Sequence, residues 1–296
     1  MTDRFKSFHP VVNMLYFAIV LLFAMFMMHP VMIGISLLCG IFYLLYLKGL
    51  HSILKSMCCM VIMVIMIIII NPLFNHEGMT ILFYLDNGNP VTKESIIYGV
   101  FMALLFMSVL IWFGCYNEVM TSDKFIYLFG RIIPHLSLVL SMALRYVPRF
   151  KTQFHVVRDA QKCIGRDITD GNVIVRMKNF ATIVSVMISW SLENSIETSD
   201  SMKSRGYGLP GRTAFSIFRF DKRDKKVLII LLFLTGILLG GILSDEAYYR
   251  YYPTFEKDLF EWKMMILYVI YGGICLLPLI INYIGALKWN YSELNI

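Results

Sequence analysis

Two glutamates four residues apart are the side chains in this sequence that most suggest chemistry. Glu193 and Glu197 share one face of a helical segment, as an acid pair or a metal site would require. The six histidines are scattered along the chain with no metal-ligand spacing, and none is near this pair in sequence. A solvated helix face, or a contact with a neighbouring helix, explains the two glutamates more simply. We therefore expect no catalytic residue, no metal site and no cofactor.

The helix that contains these glutamates ends in a charged tip. Arg205 in the last turn complements the negative end of the helix dipole, and Gly206 suits the left-handed residue that caps a helix. Pro210 then prevents the helix from restarting. Ser201 and Arg205 are four residues apart and share a face. We name Ser201–Gly206 the second tip; a long helix with such an exposed end has a shape that fits into a partner.

A similar helix end occurs earlier in the chain. Ala160–Gly165, which we name the first tip, starts with a small residue, contains Lys162 and ends in a glycine, and Arg166 follows it directly. Both tips are also explained as ordinary helix ends whose cations complement the dipole. The spacing alone leaves both interpretations open.

Composition places these elements in a membrane protein. The chain is 58% hydrophobic and 16% charged, outside the range of soluble domains. Several windows of about 17 or more apolar residues are long enough to cross a bilayer as helices. The sequence predicts an all-α, polytopic membrane helical bundle of about six spans. The predicted spans are residues 11–28, 31–47, 57–70, 95–113, 227–243 and 264–287.

The distribution of positive charge predicts the orientation of the spans. Residues 116–226 contain 18 of the 27 lysines and arginines. With the N-terminus inside, every basic segment is cytoplasmic and the two acidic loops are external, as the positive-inside rule requires. We expect a multi-pass protein of the cell membrane with both termini cytoplasmic. The net charge of +7 then reflects topology and contact with the lipid bilayer rather than nucleic acid.

The predicted organisation has three parts. Residues 1–115 form the first four spans, residues 116–226 form a cytoplasmic module of long helices without a clean span, and residues 227–296 form the last two spans. In the module, Pro134 suits the first turn of a helix that Pro148 would kink. A third helix, of roughly 33 residues or about 50 Å, ends at Arg205.

Several features of the sequence exclude or disfavour some functions of membrane proteins. The spans contain essentially no ionisable residue at mid-depth and show no pair of inverted repeats, which argues against a channel or a secondary transporter. The chain also has no G-x-x-x-x-G-K-[ST] motif, so ATP is not bound through a P-loop. Residues 79–85 are apolar but too short to span, and could form a hairpin strand or lie in the interface.

At four segments the sequence resembles a known family, the transmembrane T component of energy-coupling factor (ECF) transporters, EcfT/CbiQ. The matching segments are Asn71–His76, Asn117–Lys124, Leu144–Arg149 and Asp200–Gly208. In that family, two cytoplasmic coupling helices end in Ala-x-x-x-Arg-Gly motifs that sit in grooves of two ABC ATPases. The resemblance implies that ATP-driven motion passes through these helices to a membrane-embedded, substrate-binding S component.

The second tip matches the family motif better than the first. Ser201, Arg205 and Gly206 match, with serine in place of alanine. In the first tip Ile164 stands where the arginine is expected, and the basic residue Arg166 comes one residue late, after Gly165. The resemblance implies ATPase-coupling roles for Ser201, Arg205, Gly206, Ala160, Gly165 and Arg166. It implies roles within the coupling helices for Arg145, Pro148, Glu193 and Asp200.

The expected function is therefore that of a non-enzymatic coupling subunit of an importer. Its expected partners are two cytoplasmic ABC ATPases, an S component and lipid, and the substrate is a vitamin or a transition-metal ion. One alternative is a lipid-acting membrane enzyme that uses Glu193, Glu197 or Asp200 as acid and base. A second alternative is a self-contained secondary transporter.

Overall fold

The computed structural model describes residues 3–84, 88–169, 171–209, 218–244, 249–252 and 262–293. Pro210, predicted to stop the second tip's helix, and Leu85, at the end of the short apolar segment, lie outside these ranges. Contacts divide the chain into two compact units, Met1–Phe125 with Phe218–Ile296, and Ile126–Ile217.

The described residues form nine α-helices, a short 3-10 helix at Phe5–Ser7 and one two-stranded sheet, so the predicted all-α class is confirmed. The helices are α1 (Pro10–Phe26), α2 (Pro30–Lys48), α3 (Leu50–Phe74), α4 (Lys93–Val119), α5 (Ser122–Ile132), α6 (Pro134–Cys163), α7 (Val173–Ser204), α8 (Lys222–Leu243) and α9 (Trp262–Glu293). Helices α1–α4, α8 and α9 belong to the first unit, α6 and α7 to the second, and α5 crosses the boundary.

Proline and glycine place several helix ends. Pro10, Pro30 and Pro134 each lie in the first turn of a helix, where the missing N–H costs nothing. Gly49, with φ of 74°, ends α2 in a conformation that other residues rarely adopt. Pro148 lies inside α6, which continues through it as one helix.

The core of the first unit is aromatic with a few satisfied polar groups. Trp112, Tyr16 and Tyr43 are fully buried. The Trp112 indole nitrogen donates to the Ser36 hydroxyl (3.0 Å), and the hydroxyls of Ser36 and Ser108 are 2.8 Å apart. These contacts join α2 to α4 inside an apolar environment, where an unpaired polar group would be costly.

A hairpin precedes α4. Strand β1 (Ile81–Tyr84) pairs antiparallel with β2 (Pro90–Thr92). Of the two alternatives for residues 79–85, the hairpin strand is therefore confirmed over its described part.

Five described helices are long and apolar enough to cross a membrane: α2, α4, α7, α8 and residues Trp262–Leu287 of α9. Four of them coincide with predicted spans, and the other two predicted spans fall on shorter apolar helices, Pro10–Phe26 and Met60–Phe74. Helix α7 meets these criteria of length and composition within residues 116–226, which were predicted to hold no clean span. Its cations at Arg176 and Lys178 lie close to its start, which leaves an apolar stretch before the polar tip. The assignment of residues 116–226 to a cytoplasmic module stays a prediction.

In the second unit, α6 and α7 run antiparallel. Val157, Ile183 and Met187 form a small buried cluster between them. The ring of Phe150 meets that of Trp190 edge-on, with centroids 5.5 Å apart. Most other apolar side chains of this pair are exposed.

Candidate functional site

The second tip is a glycine-capped helix end with a defined hydrogen-bond pattern. The Gly206 N–H donates to Lys203 O and the Tyr207 N–H donates to Met202 O, both at 3.0 Å. Gly206 has φ of 78°, which completes a Schellman motif. Arg205 is the C-cap residue, and its side chain is exposed.

The first tip has the same backbone pattern. The Gly165 N–H donates to Lys162 O and the Arg166 N–H donates to Gln161 O, again at 3.0 Å, and Gly165 has φ of 74°. The two Schellman motifs therefore align residue by residue. Ile164 is the C-cap residue of this tip, equivalent to Arg205, and is 64% exposed. An apolar side chain thus occupies the place of the guanidinium.

Two cations around the first tip are paired with carboxylates of the same chain. Lys162 Nζ lies 3.4 Å from Asp167 Oδ2, and Arg158 pairs with Asp159 at 3.1 Å. The pKa of Asp167 is lowered, chiefly by hydrogen bonds from Thr169 and further by Lys162. This loop is anchored to α7, because the Asn179 side-chain amide donates to Asp167 O at 2.8 Å.

A polar cavity of about 840 Å³ lies between α6 and α7 beside the second tip. Its charged lining consists of Arg145, Arg149, Arg205 and Glu197. We name it the arginine cleft. Three guanidinium groups against one carboxylate make its lining net positive, which favours an anionic ligand.

Neighbouring contacts hold the walls of the arginine cleft. The Thr198 hydroxyl donates to Asn194 O (2.7 Å), so its oxygen accepts from the Tyr146 hydroxyl on α6. The Arg149 guanidinium lies over the Trp190 ring, 5.5 Å from its centroid. Both contacts join α6 to α7 and restrict the side chains that face the cavity.

The structure brings some predicted site residues together and separates others. Ser201, Arg205, Arg145 and Pro148 all line the arginine cleft. Asp200 lies next to the cleft and is 4.0 Å from Lys203. The predicted first-tip residues lie elsewhere, at the C-terminal end of α6 and in the loop that follows it: Ala160, Gly165 and Arg166. This loop contacts the start of α7, where Asn179 bonds to Asp167 O.

The two glutamates of the pair have different surroundings. Glu197 lines the arginine cleft but Glu193 does not. Within the described residues, no group of three His, Cys, Asp or Glu side chains could hold a metal ion. The sequence reasoning also missed Arg149 as a site residue. Its spacing of four from Arg145 on one helix is the signal that could have identified it.

The two tips are far apart along α7. The first tip's loop is bonded to Asn179, while the second tip closes the helix at Arg205. At a rise of about 1.5 Å per residue, these two positions are separated by about 40 Å of helix. The second unit therefore presents two similar ends at well-separated points.

The fold and the two matching tips define a class of protein, a polytopic α-helical membrane protein with a pair of long helices that expose glycine-capped ends. The chain belongs to the CbiQ family, because the family model described as "Cobalt transport protein" matches residues 4–215, well over half its length. This confirms the predicted EcfT/CbiQ membership.

Curated relatives carry the name energy-coupling factor transporter transmembrane protein EcfT. The chain is 37% identical to that of Lactobacillus helveticus over 108 residues, which is 36% of this chain and 39% of the relative. It is 34% identical to that of Lacticaseibacillus paracasei, over 36% of this chain and 41% of the relative. EcfT 1 of Listeria monocytogenes is 28% identical over 54% of this chain and 67% of the relative. The matches to the first two relatives thus span about two fifths of their length.

Proposed function

We propose that the chain is the transmembrane coupling subunit of an ECF importer. It transmits the motion of two cytoplasmic ABC ATPases to a membrane-embedded S component that binds the substrate. The observation that supports this most directly is the pair of equivalent Schellman tips at opposite ends of α7. Two similar ends about 40 Å apart suit two separate, similar subunits.

The chemistry of the tips suits attachment to a protein groove. Gly206 and Gly165 present backbone without a side chain, so another backbone can approach closely. Arg205 adds a planar fork of donors for carboxylate or carbonyl oxygens. A rigid helix with such an end transmits a displacement rather than absorbing it, because its length is fixed by its backbone hydrogen bonds.

The exposed apolar surface of α6 and α7 supports a membrane-embedded partner. An apolar groove of about 590 Å³ lies between the two helices, lined by side chains such as Phe154, Phe180 and Leu192. A contiguous surface of this kind marks a site that another molecule covers. The S component expected in the family is such a partner, and it would determine which vitamin or metal ion is taken up.

The alternatives receive less support. A lipid-acting enzyme would need its acid and base in one cavity, whereas Glu193 and Glu197 do not line the same cavity. The named relatives are transporter components rather than enzymes. No contact or cavity of the described residues favours a self-contained secondary transporter.

The role of Arg205 can be tested by purification from native membranes. We expect wild-type chain to co-purify with two ABC ATPases, and Arg205→Ala to reduce recovery of at least one by about tenfold, as for an interface anchor. ATP-driven uptake should fall with it. Lys178→Ala is the matched control, because Lys178 is an exposed cation of the same helix that lies outside both tips and outside the arginine cleft. Absence of ATPases from the wild-type sample would contradict the proposed function.

A further inference from the structure

The arginine cleft contains more positive charge than its surroundings neutralise. Arg145, Arg149 and Arg205 line it with Glu197 as the one acidic side chain. Within the described residues, no ion pair of 4.0 Å or less involves any of these three arginines. None of the three guanidinium groups therefore has a charged partner within ion-pair distance, and the cavity between them suits an anionic group.

The first tip differs in this respect. Its cations Arg158 and Lys162 are already paired with Asp159 and Asp167. Its C-cap position holds Ile164 instead of an arginine. The two tips thus share a backbone motif but differ in their electrostatic surroundings. Two of the cations around the first tip are paired with carboxylates, whereas the three arginines of the cleft have no ion pair among the described residues.

Three properties of the cleft specify its ligand. Its volume of about 840 Å³ exceeds what a single small anion fills and accommodates several side chains. Arginine binds carboxylates in a bidentate geometry. Arg149 is oriented by Trp190, and the contact of Tyr146 with Thr198 joins the walls, so part of the ordering needed for binding is present beforehand.

We propose that the arginine cleft binds an acidic peptide segment of the ATPase seated at the second tip. Arg145 and Arg149 recognise this segment together with Arg205. This inference rests on the proposed function and adds to it a basis for telling the two ATPases apart. The ATPase at the first tip binds without such a segment, since that tip presents an isoleucine and paired charges.

Charge recognition of this kind has a measurable signature. Attraction between the cleft and an acidic segment is screened by salt, so the affinity for one ATPase falls as the ionic strength rises. The affinity for the other ATPase, bound through apolar and backbone contacts, is much less sensitive to salt. The two ATPases are therefore distinguished by how strongly their affinity for the wild-type chain depends on salt.

The experiment compares two double variants of the full chain in nanodiscs of neutral lipid. Arg145→Gln with Arg149→Gln removes two cations from the cleft, and Lys151→Gln with Lys178→Gln removes two from the same helices outside it. The affinity of each co-purifying ATPase is measured between low and high salt. We expect the cleft variant to weaken one ATPase about ten- to a hundredfold at low salt and to flatten its salt dependence. The control should leave both affinities within about twofold of wild type.

Several outcomes would overturn the inference. Equal affinity of wild type and cleft variant for both ATPases would do so, as would equal weakening of both. Because a double substitution can disturb folding, Arg145→Lys with Arg149→Lys is tested beside it. This pair keeps the charge and should retain the salt dependence of the wild type.

Other anionic ligands are separated by two further arms. Wild type is titrated with pyrophosphate and, in a second series, incorporated into nanodiscs with phosphatidylglycerol. If the cleft variant loses binding to either while its affinity for both ATPases is unchanged, a phosphate ligand replaces the acidic segment and the inference is wrong. Failure of the wild type to bind any ATPase would instead contradict the proposed function itself.

Discussion

Lys124 is a buried cation whose partners are backbone carbonyls and an amide. Its side chain is almost inaccessible, and Nζ donates to Lys6 O (2.6 Å) and Val119 O (3.1 Å). With its amide oriented by these neighbours, Asn13 accepts from the same nitrogen at 2.7 Å. Burial, followed by the nearby charge of Lys6, lowers the pKa of Lys124 to about 8.

This lowered pKa predicts a stability that depends on pH. Between about 8 and the ordinary lysine value, the unfolded chain holds a proton that the folded chain has released. The contribution of Lys124 to the free energy of unfolding therefore rises as pH increases through that window. We expect Lys124→Gln to remove this rise relative to wild type, measured by thermal unfolding in detergent from pH 7 to 10. Parallel pH profiles of the two proteins would contradict the assignment.

At the scale of elements, one side-chain contact fixes how α6 meets α7 near the arginine cleft. Thr198 on α7 accepts from the Tyr146 hydroxyl on α6 and donates to Asn194 O. We expect Thr198→Val to cost about 1 kcal/mol at this contact and to increase amide exchange at the C-terminal end of α7. Thr198→Ser, which keeps the hydroxyl, is the control. Equal exchange in the valine and serine variants would show that the hydrogen bond does not hold the two helices together.

The two tips show what the structure of a helix end adds to its sequence. The spacing of glycine and basic residues predicted two helix ends. Their hydrogen bonds then established that Ile164 and Arg205 occupy the same C-cap position. The family motif had already aligned these two residues, but their shared cap geometry follows from which carbonyl each N–H selects, and residue types alone do not specify that choice.

At the scale of the whole molecule, the first unit is closed by a contact between the two ends of the chain. The Asn282 side-chain oxygen in α9 accepts from Arg4 N at 2.9 Å, and its nitrogen donates to Asp3 Oδ1 at 2.7 Å. Asp3 Oδ2 in turn accepts from the Tyr43 hydroxyl of α2 at 3.1 Å. Asn282 is buried, so these groups have little access to water.

Removing this amide should loosen the first unit as a whole. We expect Asn282→Ala to lower the free energy of unfolding by about 1–3 kcal/mol, because buried donors and acceptors lose their partners. Tyr283→Phe, next to it in α9 and 69% exposed, is the control. The measurement is the midpoint of thermal unfolding in a mild detergent. A midpoint equal to that of the control variant would mean that the contact between the chain ends contributes nothing to stability.

The part of the fold that could be predicted follows from the properties of residues that are close together in sequence. Long apolar runs favour helices in a bilayer, and prolines and glycines mark helix ends through their own backbone preferences. These rules predicted the start at Pro134 and the ends at Gly165 and Gly206. For α7 the polar residues indicated no clean span, whereas the length and composition of the helix are within the range of a spanning helix.

The sequence by itself therefore determined the helical membrane class, the two tips and, through its motifs, the family. Only the tertiary structure placed Arg145 and Arg149 of α6 beside Arg205 of α7, and joined Asn282 to Arg4. The reason is physical. Helix ends and spans follow from interactions among near neighbours, whereas a cleft or a closure between distant segments depends on how whole helices pack.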